Sequence, residues 1–246
     1  MKKKISLFIL CGIVLLGVCG CVFEKETDGS VDTTYNCSIL NNVNMTINNY
    51  DGNIYAITND GKLYEFGNYS DGTNCKKVDS NLKFTKIIND NLVDDQNKLY
   101  KIYQREIKKV ESYNDDYKRF IDDINIIKTH RINIDESNGK NIYAVLKNDG
   151  IIYLDNNETY ISFNNEKILD FSQENDNFIT WIKTNKAYYI RRVKDKKCNE
   201  YDDIECEYEF QKDEELTKQY DEISFIKWCS NKTKCDYVLK NGRVIQ

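Results

Sequence analysis

The chain has no proline and a single histidine, His130, in 246 residues. With proline missing, its turns have to be made by Gly, Asn and Asp. One histidine leaves any Ser–His or Cys–His nucleophile resting on His130, which ends the apolar segment "INIIKTH" (124–130) and reads as a strand-end surface residue. Nine cysteines are present, but there is no C-x-x-C pair and no second histidine, so the spacing of a zinc site is missing. The densest acidic run, Asp202, Asp203, Glu205, Glu207 and Glu209, lacks the glycine turn of a calcium loop and reads as a solvated segment. Long apolar runs are absent too. The longest, Ile5 to Val18, has fourteen residues, short of the roughly 20 that cross a bilayer as a helix.

That short run has another reading. It follows the basic block "MKKK" and has the length of a secretory h-region. It ends without an A-x-A cleavage pattern, in Val18-Cys19-Gly20-Cys21. This stretch resembles the lipobox of bacterial lipoproteins. The resemblance implies cleavage before Cys21, a diacylglyceryl thioether on Cys21, and residues 1–20 as signal peptide. Two acyl chains give the stable anchoring that one cannot. Residues 21–44 are then the lipidated N-terminus and a polar tether, and 45–246 the folded domain, on the extracytoplasmic side of the cell membrane.

Removing residues 1–20 takes away three of the 35 basic residues, leaving 32 against 40 acidic ones. A net charge of −8 argues against nucleic acid or anionic headgroups as the main partner. Six cysteines remain beyond Cys21: Cys37, Cys75, Cys198, Cys206, Cys229 and Cys235. An even number in an exported chain favours disulfides, and six allow fifteen pairings. Proximity favours Cys37–Cys75, Cys198–Cys206 and Cys229–Cys235, with free buried thiols as the alternative. The last pair is the best argued, because "SFIKWC" and "CDYVLK" read as two strands that place both cysteines face to face.

A pattern returns along the folded part. "NIYAITNDGKLYEFG" (53–67) and "NIYAVLKNDGIIYLDN" (141–156) are near copies, and segments 91–102, 177–192 and 235–246 are weaker ones. Each reads as strand, two-residue turn, strand, with positive φ expected at Gly61, Asn97, Gly150, Asn185 and Gly242. The steps between these turns are 36, 53, 35 and 57 residues, so alternate units carry insertions. One insertion (111–124) puts Tyr113, Tyr117, Phe120, Ile121 and Ile124 on one helical face. Apolar segments at 84–90, 124–130, 166–172 and 222–228 precede the hairpins. A leading strand plus a hairpin, recurring, predicts an all-β fold: a degenerate β-propeller of about five units with small helical insertions. A β-sandwich is the alternative.

The unit "IYAITNDGKLYEFG" resembles the repeat of the regulator of chromosome condensation propellers, with its alternating strand, "DG" turn and aromatic-Gly ending. The resemblance implies a propeller frame and no particular activity, since members of that class bind different partners. Ile57, Val145, Ile179 and Val238 are expected to share one core, with the segment "NMTINNY" (44–50) closing the last unit. Tyr153, Tyr160, Tyr188, Tyr189 and Trp181 could line a glycan- or peptide-binding face. No catalytic residue, metal set or cofactor is assigned. The expected function is a non-catalytic, lipid-anchored binding protein with a protein, peptide or glycan partner. The alternative is a degenerate hydrolase of cell-surface polysaccharide or peptide, which calls for two carboxylates in one pocket.

Overall fold

In the computed structural model the described residues are 37–48, 53–67, 75–78, 81–135, 140–154, 159–172, 179–194, 208–229 and 235–245. All belong to one compact unit, Thr34–Gln246. Cys21, Cys198 and Cys206 lie outside the described residues, as do Asp202, Asp203, Glu205 and Glu207.

Among the described residues the fold is mostly β, in antiparallel meanders taken in chain order. Unit one is β1 (Val43–Asn48), β2 (Ile54–Thr58), β3 (Leu63–Phe66) and β4 (Cys75–Lys77). Unit two is β5 (Phe84–Ile88), β6 (Asn91–Asp94), β7 (Leu99–Tyr103) and β8 (Glu106–Lys109). Helix α1 (Asp115–Asp122) leads into unit three: β9 (Ile126–Asp135), β10 (Lys140–Lys147), β11 (Ile152–Leu154) and β12 (Thr159–Ile161). Unit four is β13 (Ile168–Phe171), β14 (Trp181–Thr184), β15 (Tyr188–Val193) and β16 (Tyr208–Lys212). Helix α2 (Glu214–Lys218) precedes unit five: β17 (Ile223–Cys229), β18 (Cys235–Leu239) and β19 (Val244–Ile245). Units two and three join into one eight-stranded sheet, because β5 and β9 pair in parallel at Ile87–Lys128 and Ile88–Thr129.

Two local features recur in all five units and a third in four of them. Each leading strand skips one residue in its pairing with the second strand: Asn44, Thr85, Ile127, Leu169 and Ser224. Such a bulge bends the strand and increases its twist. The residue just before each leading strand accepts a backbone hydrogen bond from the first turn residue of its own hairpin. The donors and acceptors are Asn59 to Asn42, Asp95 to Lys83, Asn148 to Asn125, Asn185 to Lys167 and Lys240 to Glu222, at 2.7–2.9 Å. The third feature is the turn itself, where a four-residue bond closes the loop at Gly61, Asn97, Gly150 and Gly242.

These turns differ from the expected two-residue kind. In units one, two, three and five a type I turn is followed by one left-handed residue, a three-residue loop. Gly61 (φ 81°), Gly150 (80°), Gly242 (89°) and Asn97 (60°) take that last place. Unit four is one residue shorter, with Thr184 N bonded to Ala187 O at 2.9 Å. Asn185 is therefore not in the positive-φ set, contrary to the expectation. Its side chain instead accepts from Lys167 N at 2.9 Å.

The alternating spacing has a physical origin. After units one and three the next leading strand docks directly on the glycine turn, Phe84 N to Gly61 O at 2.8 Å and Ile168 N to Gly150 O at 3.0 Å. After units two and four a helix intervenes. Asn114 caps α1 by accepting from Tyr117 N, and Asp213 caps α2 by accepting from Leu216 N. Helix α1 is shorter than its apolar face predicts: Phe120 and Ile121 are buried, while Tyr113 and Ile124 lie outside it and are exposed.

Contrary to the expectation that Ile57, Val145, Ile179 and Val238 share one core, these residues fall into four different clusters. Ile57 packs with Phe84 and Leu92 between units one and two. Val145 packs with Ile88 and Val93 between two and three, and Leu146 with Ile168 and Ile182 between three and four. Trp181 and Tyr188 meet Ile226 and Tyr237 between four and five. Phe225 and Val238 meet Ile54 and Phe66 between five and one. Second strands are buried on both faces, so β2 is buried at every position and its alternation in sequence is only apparent. The domain also begins before residue 45: Leu40 is in the core and Val43 opens β1. The segment "NMTIN" is that leading strand, paired with β2, and does not close unit five.

Candidate functional site

Where leading strands meet, charge has been buried. Lys128 on β9 is fully buried, and its ammonium donates to Thr46 O on β1 at 2.9 Å, to Asp170 Oδ1 on β13 at 2.7 Å and to Phe171 O at 2.8 Å. Three donors meet three acceptors, so the cation is fully satisfied and ties units one, three and four together. Asp170 Oδ1 also accepts from Phe171 N at 2.9 Å.

Beside this pair lies a narrow cleft of about 10 Å³, room for a single water. It is walled by leading strands β1, β13 and β17 and by β14 and β15 of unit four. Asp170, Trp181, Lys183 and Tyr188 supply its polar groups from unit four, with Asn44 and Ser224 facing them from units one and five. The placement follows from pleating. Residues 181 and 183 on β14 point to one side, while Ile182 points to the cluster between units three and four. Lys183 stands opposite Tyr188 in the ladder, its ammonium 5.8 Å from that ring centroid and 5.6 Å from the Tyr220 ring.

Burial dominates the electrostatics. It pushes the Lys183 ammonium below the usual lysine range, with Asp170 pulling part of the way back. It pushes the Tyr188 phenol well above the usual tyrosine range. Trp181 and Tyr188 are 3 % and 1 % exposed, and neither the indole Nε1 nor the phenol oxygen has a hydrogen-bond partner. Ser224 Oγ is occupied, donating to Leu40 O at 2.6 Å.

The residues singled out from sequence are dispersed. Cys37–Cys75 and Cys229–Cys235 are disulfides, the first tying the entry of the chain to β4 and the second crossing the β17–β18 hairpin as expected. Of the five aromatics expected on one face, only Trp181 and Tyr188 line the cleft. Tyr189 stacks on Phe163 at 3.8 Å, Tyr153 donates to Asp149, and Tyr160 is exposed. His130 is 3 % exposed within β9 and is not a surface residue. Among the described cleft residues Asp170 is the one carboxylate. Lys183 and Lys128 were missed by sequence reasoning. The available signal was a lysine inside the apolar strand segments "WIKT" and "IIKT".

No protein-family model, curated protein or solved structure matches the chain. Among the described residues no helix is long and apolar enough to cross a membrane.

Proposed function

We propose that this chain is a lipid-anchored extracytoplasmic binding protein whose domain is a degenerate five-bladed β-propeller. The observation that carries the reading is the fifth apolar cluster, in which Phe225 and Val238 of the last unit meet Ile54 and Phe66 of the first. With the four clusters between successive units it supports a ring, and the bulge and turn bond shared by all five units support repetition. A ring of meanders is a rigid frame that presents its strand ends and its central cleft to a partner. The partner class is a protein, peptide or glycan, and the net negative charge disfavours nucleic acid.

Anchoring rests on Val18-Cys19-Gly20-Cys21 behind a basic, apolar leader. Mass spectrometry of the mature protein should find a diacylated N-terminal Cys21, and Cys21→Ala should leave the membrane fraction. An intact peptide spanning residues 15–25 in membranes would remove this part of the reading.

A further inference from the structure

We infer that the exposed face of the β7–β8 hairpin, built from Lys101, Tyr103 and Lys108, is a subsite for an acidic sugar. The inference rests on the binding-protein reading above and deepens it by naming the chemistry of the partner, a pyranose ring that carries an anionic group.

Strand register builds the face. Lys101 stands opposite Lys108 and Tyr103 opposite Glu106. Residues two apart on a strand share a side, and the intervening Tyr100 and Ile102 are buried on the other. Like charges set directly opposite destabilise a sheet, so the Lys101–Lys108 pair opposes folding. Edge protection accounts for half of it: β8 ends the eight-stranded sheet, and a lysine there blocks further pairing. Lys101 lies on β7, inside that edge, and needs another reason. Among the described residues its ammonium has no ion-pair partner and lies against Tyr103.

Tyr103 is one of five large apolar side chains left exposed, at 49 %. The ammoniums of Lys101 and Lys108 stand 6.0 and 5.0 Å from its ring centroid. One face therefore offers an aromatic platform with two cations at its border. The C–H side of a pyranose packs on a π face, and an acid group on that ring then meets an ammonium. The site already holds a stand-in: Glu106 Oε2 lies 3.1 Å from Lys108 Nζ, with both side chains more than half exposed. Such exposed pairs are weak, so a ligand anion displaces Glu106 at little cost. The hairpin is also held in place. Gln104 and Arg105 form a two-residue turn with φ 50° and 65°, made without glycine. Arg105 Nε reaches Glu65 Oε1 on β3 at 3.2 Å, tying the turn to unit one.

Charge limits the size of the partner. Residues 98–109 carry five basic side chains against Glu106 alone, in a chain of net charge −5. Screening over about 8 Å confines that positive potential to the hairpin. A single acidic sugar feels the hairpin only, whereas an anionic membrane plane also meets the acidic remainder.

The experiment titrates the disulfide-intact full chain, in neutral detergent, with trigalacturonic acid. Backbone amide resonances are followed at about 0.15 M salt. Saturable shifts confined to residues 98–109 are expected. Tyr103→Leu and Lys101→Gln should each weaken binding about fivefold or more, and Lys101→Arg should retain it. Glu106→Gln should strengthen binding several-fold, a gain that a merely structural face would not give. All four positions are exposed, and the Lys101→Gln and Glu106→Gln arms keep the test alive if Tyr103→Leu disturbs the hairpin. Mannose 6-phosphate binding more tightly than trigalacturonic acid identifies phosphate as the anionic group, and the reverse identifies carboxylate. Equal binding of the trigalacturonate methyl ester or of tetraglutamate, an unchanged affinity in Tyr103→Leu, or a response to phosphatidylglycerol vesicles and to neither sugar overturns the proposal. Diacylation of Cys21 is read separately by mass spectrometry, and a peptide or neutral glycan bound elsewhere overturns this subsite while leaving the binding-protein reading in place.

Discussion

At the residue scale, single backbone and charge positions decide local stability. Gly150 has φ 80°, and a Cβ there would overlap Lys167 Cγ and sit 3.0 Å from Ile168 N, the very atom that docks the next unit. Gly150→Val therefore combines left-handed strain with displacement of a strand. A loss of about 2–3 kcal/mol is expected from urea unfolding, with a larger loss than for the same change on an exposed strand. Asp60 offers a pH test. Hydrogen bonds from Lys62 and from Thr58 Oγ1 hold its carboxyl down at about 2, although it is exposed. A depressed carboxylate stabilises the folded state above its unfolded value of about 3.9, and loses this as pH falls towards its folded value. Carbon-detected titration should find the Asp60 midpoint near 2. Asp60→Asn should flatten the stability curve between about pH 4 and 2, and an ordinary midpoint would refute the assignment.

At the scale of elements, one buried ion pair and one disulfide join segments distant in sequence, and a second disulfide staples a single hairpin. Lys128→Met leaves Asp170 buried without its cation, and Asp170→Asn leaves Lys128 short of its anion; each should cost about 3–5 kcal/mol. The double replacement Lys128→Met with Asp170→Leu should cost clearly less than the sum, because no charge is then stranded. Additive losses in this cycle would mean that the two do not interact. The disulfides should differ with loop length. Serine at Cys37 and Cys75, 38 residues apart, should cost about 4 kcal/mol in the chain-entropy view. Serine at Cys229 and Cys235, six residues apart, should cost about 2 kcal/mol. Thermal unfolding of the two double variants ranks them directly.

At the scale of the whole molecule, the question is whether five units stabilise one another as a ring or as a row. In a row each unit leans on its neighbours only, and removing the last leaves the others standing. In a ring the first unit also loses a wall. Phe66 of the first unit and Phe225 of the last meet with ring centroids 4.7 Å apart. Deleting residues 223–246 should therefore expose Ile54 and Phe66, bind a hydrophobic dye and abolish a cooperative melt. A deletion variant that melts cooperatively near the parent temperature would show that the first and last units are not coupled. The same scale explains the cleft, which no unit owns. Asp170, Trp181, Lys183 and Tyr188 come from unit four, but units one and five supply the facing walls.

What the sequence determined by itself is local. Alternating apolar residues and the Asp-Gly and Asn-Gly pairs specify strands and turns through side-chain period and left-handed backbone, so the leading strands of units two to five and most hairpins fall where expected. The Cys229–Cys235 pairing was legible for the same reason, since facing positions in one hairpin follow from the turn. Tertiary structure decided the rest. A strand buried on one face and a strand buried on both carry similar patterns, so residues 54–58 do not reveal that their two sides serve different cores. The bulges at Asn44, Thr85, Ile127, Leu169 and Ser224 have no residue signature, because any side chain tolerates them. Lys128 and Lys183 read as ordinary lysines among 35 basic residues. Only the meeting of strands from units one, three and four takes water from the Lys128 ammonium and gives it three acceptors.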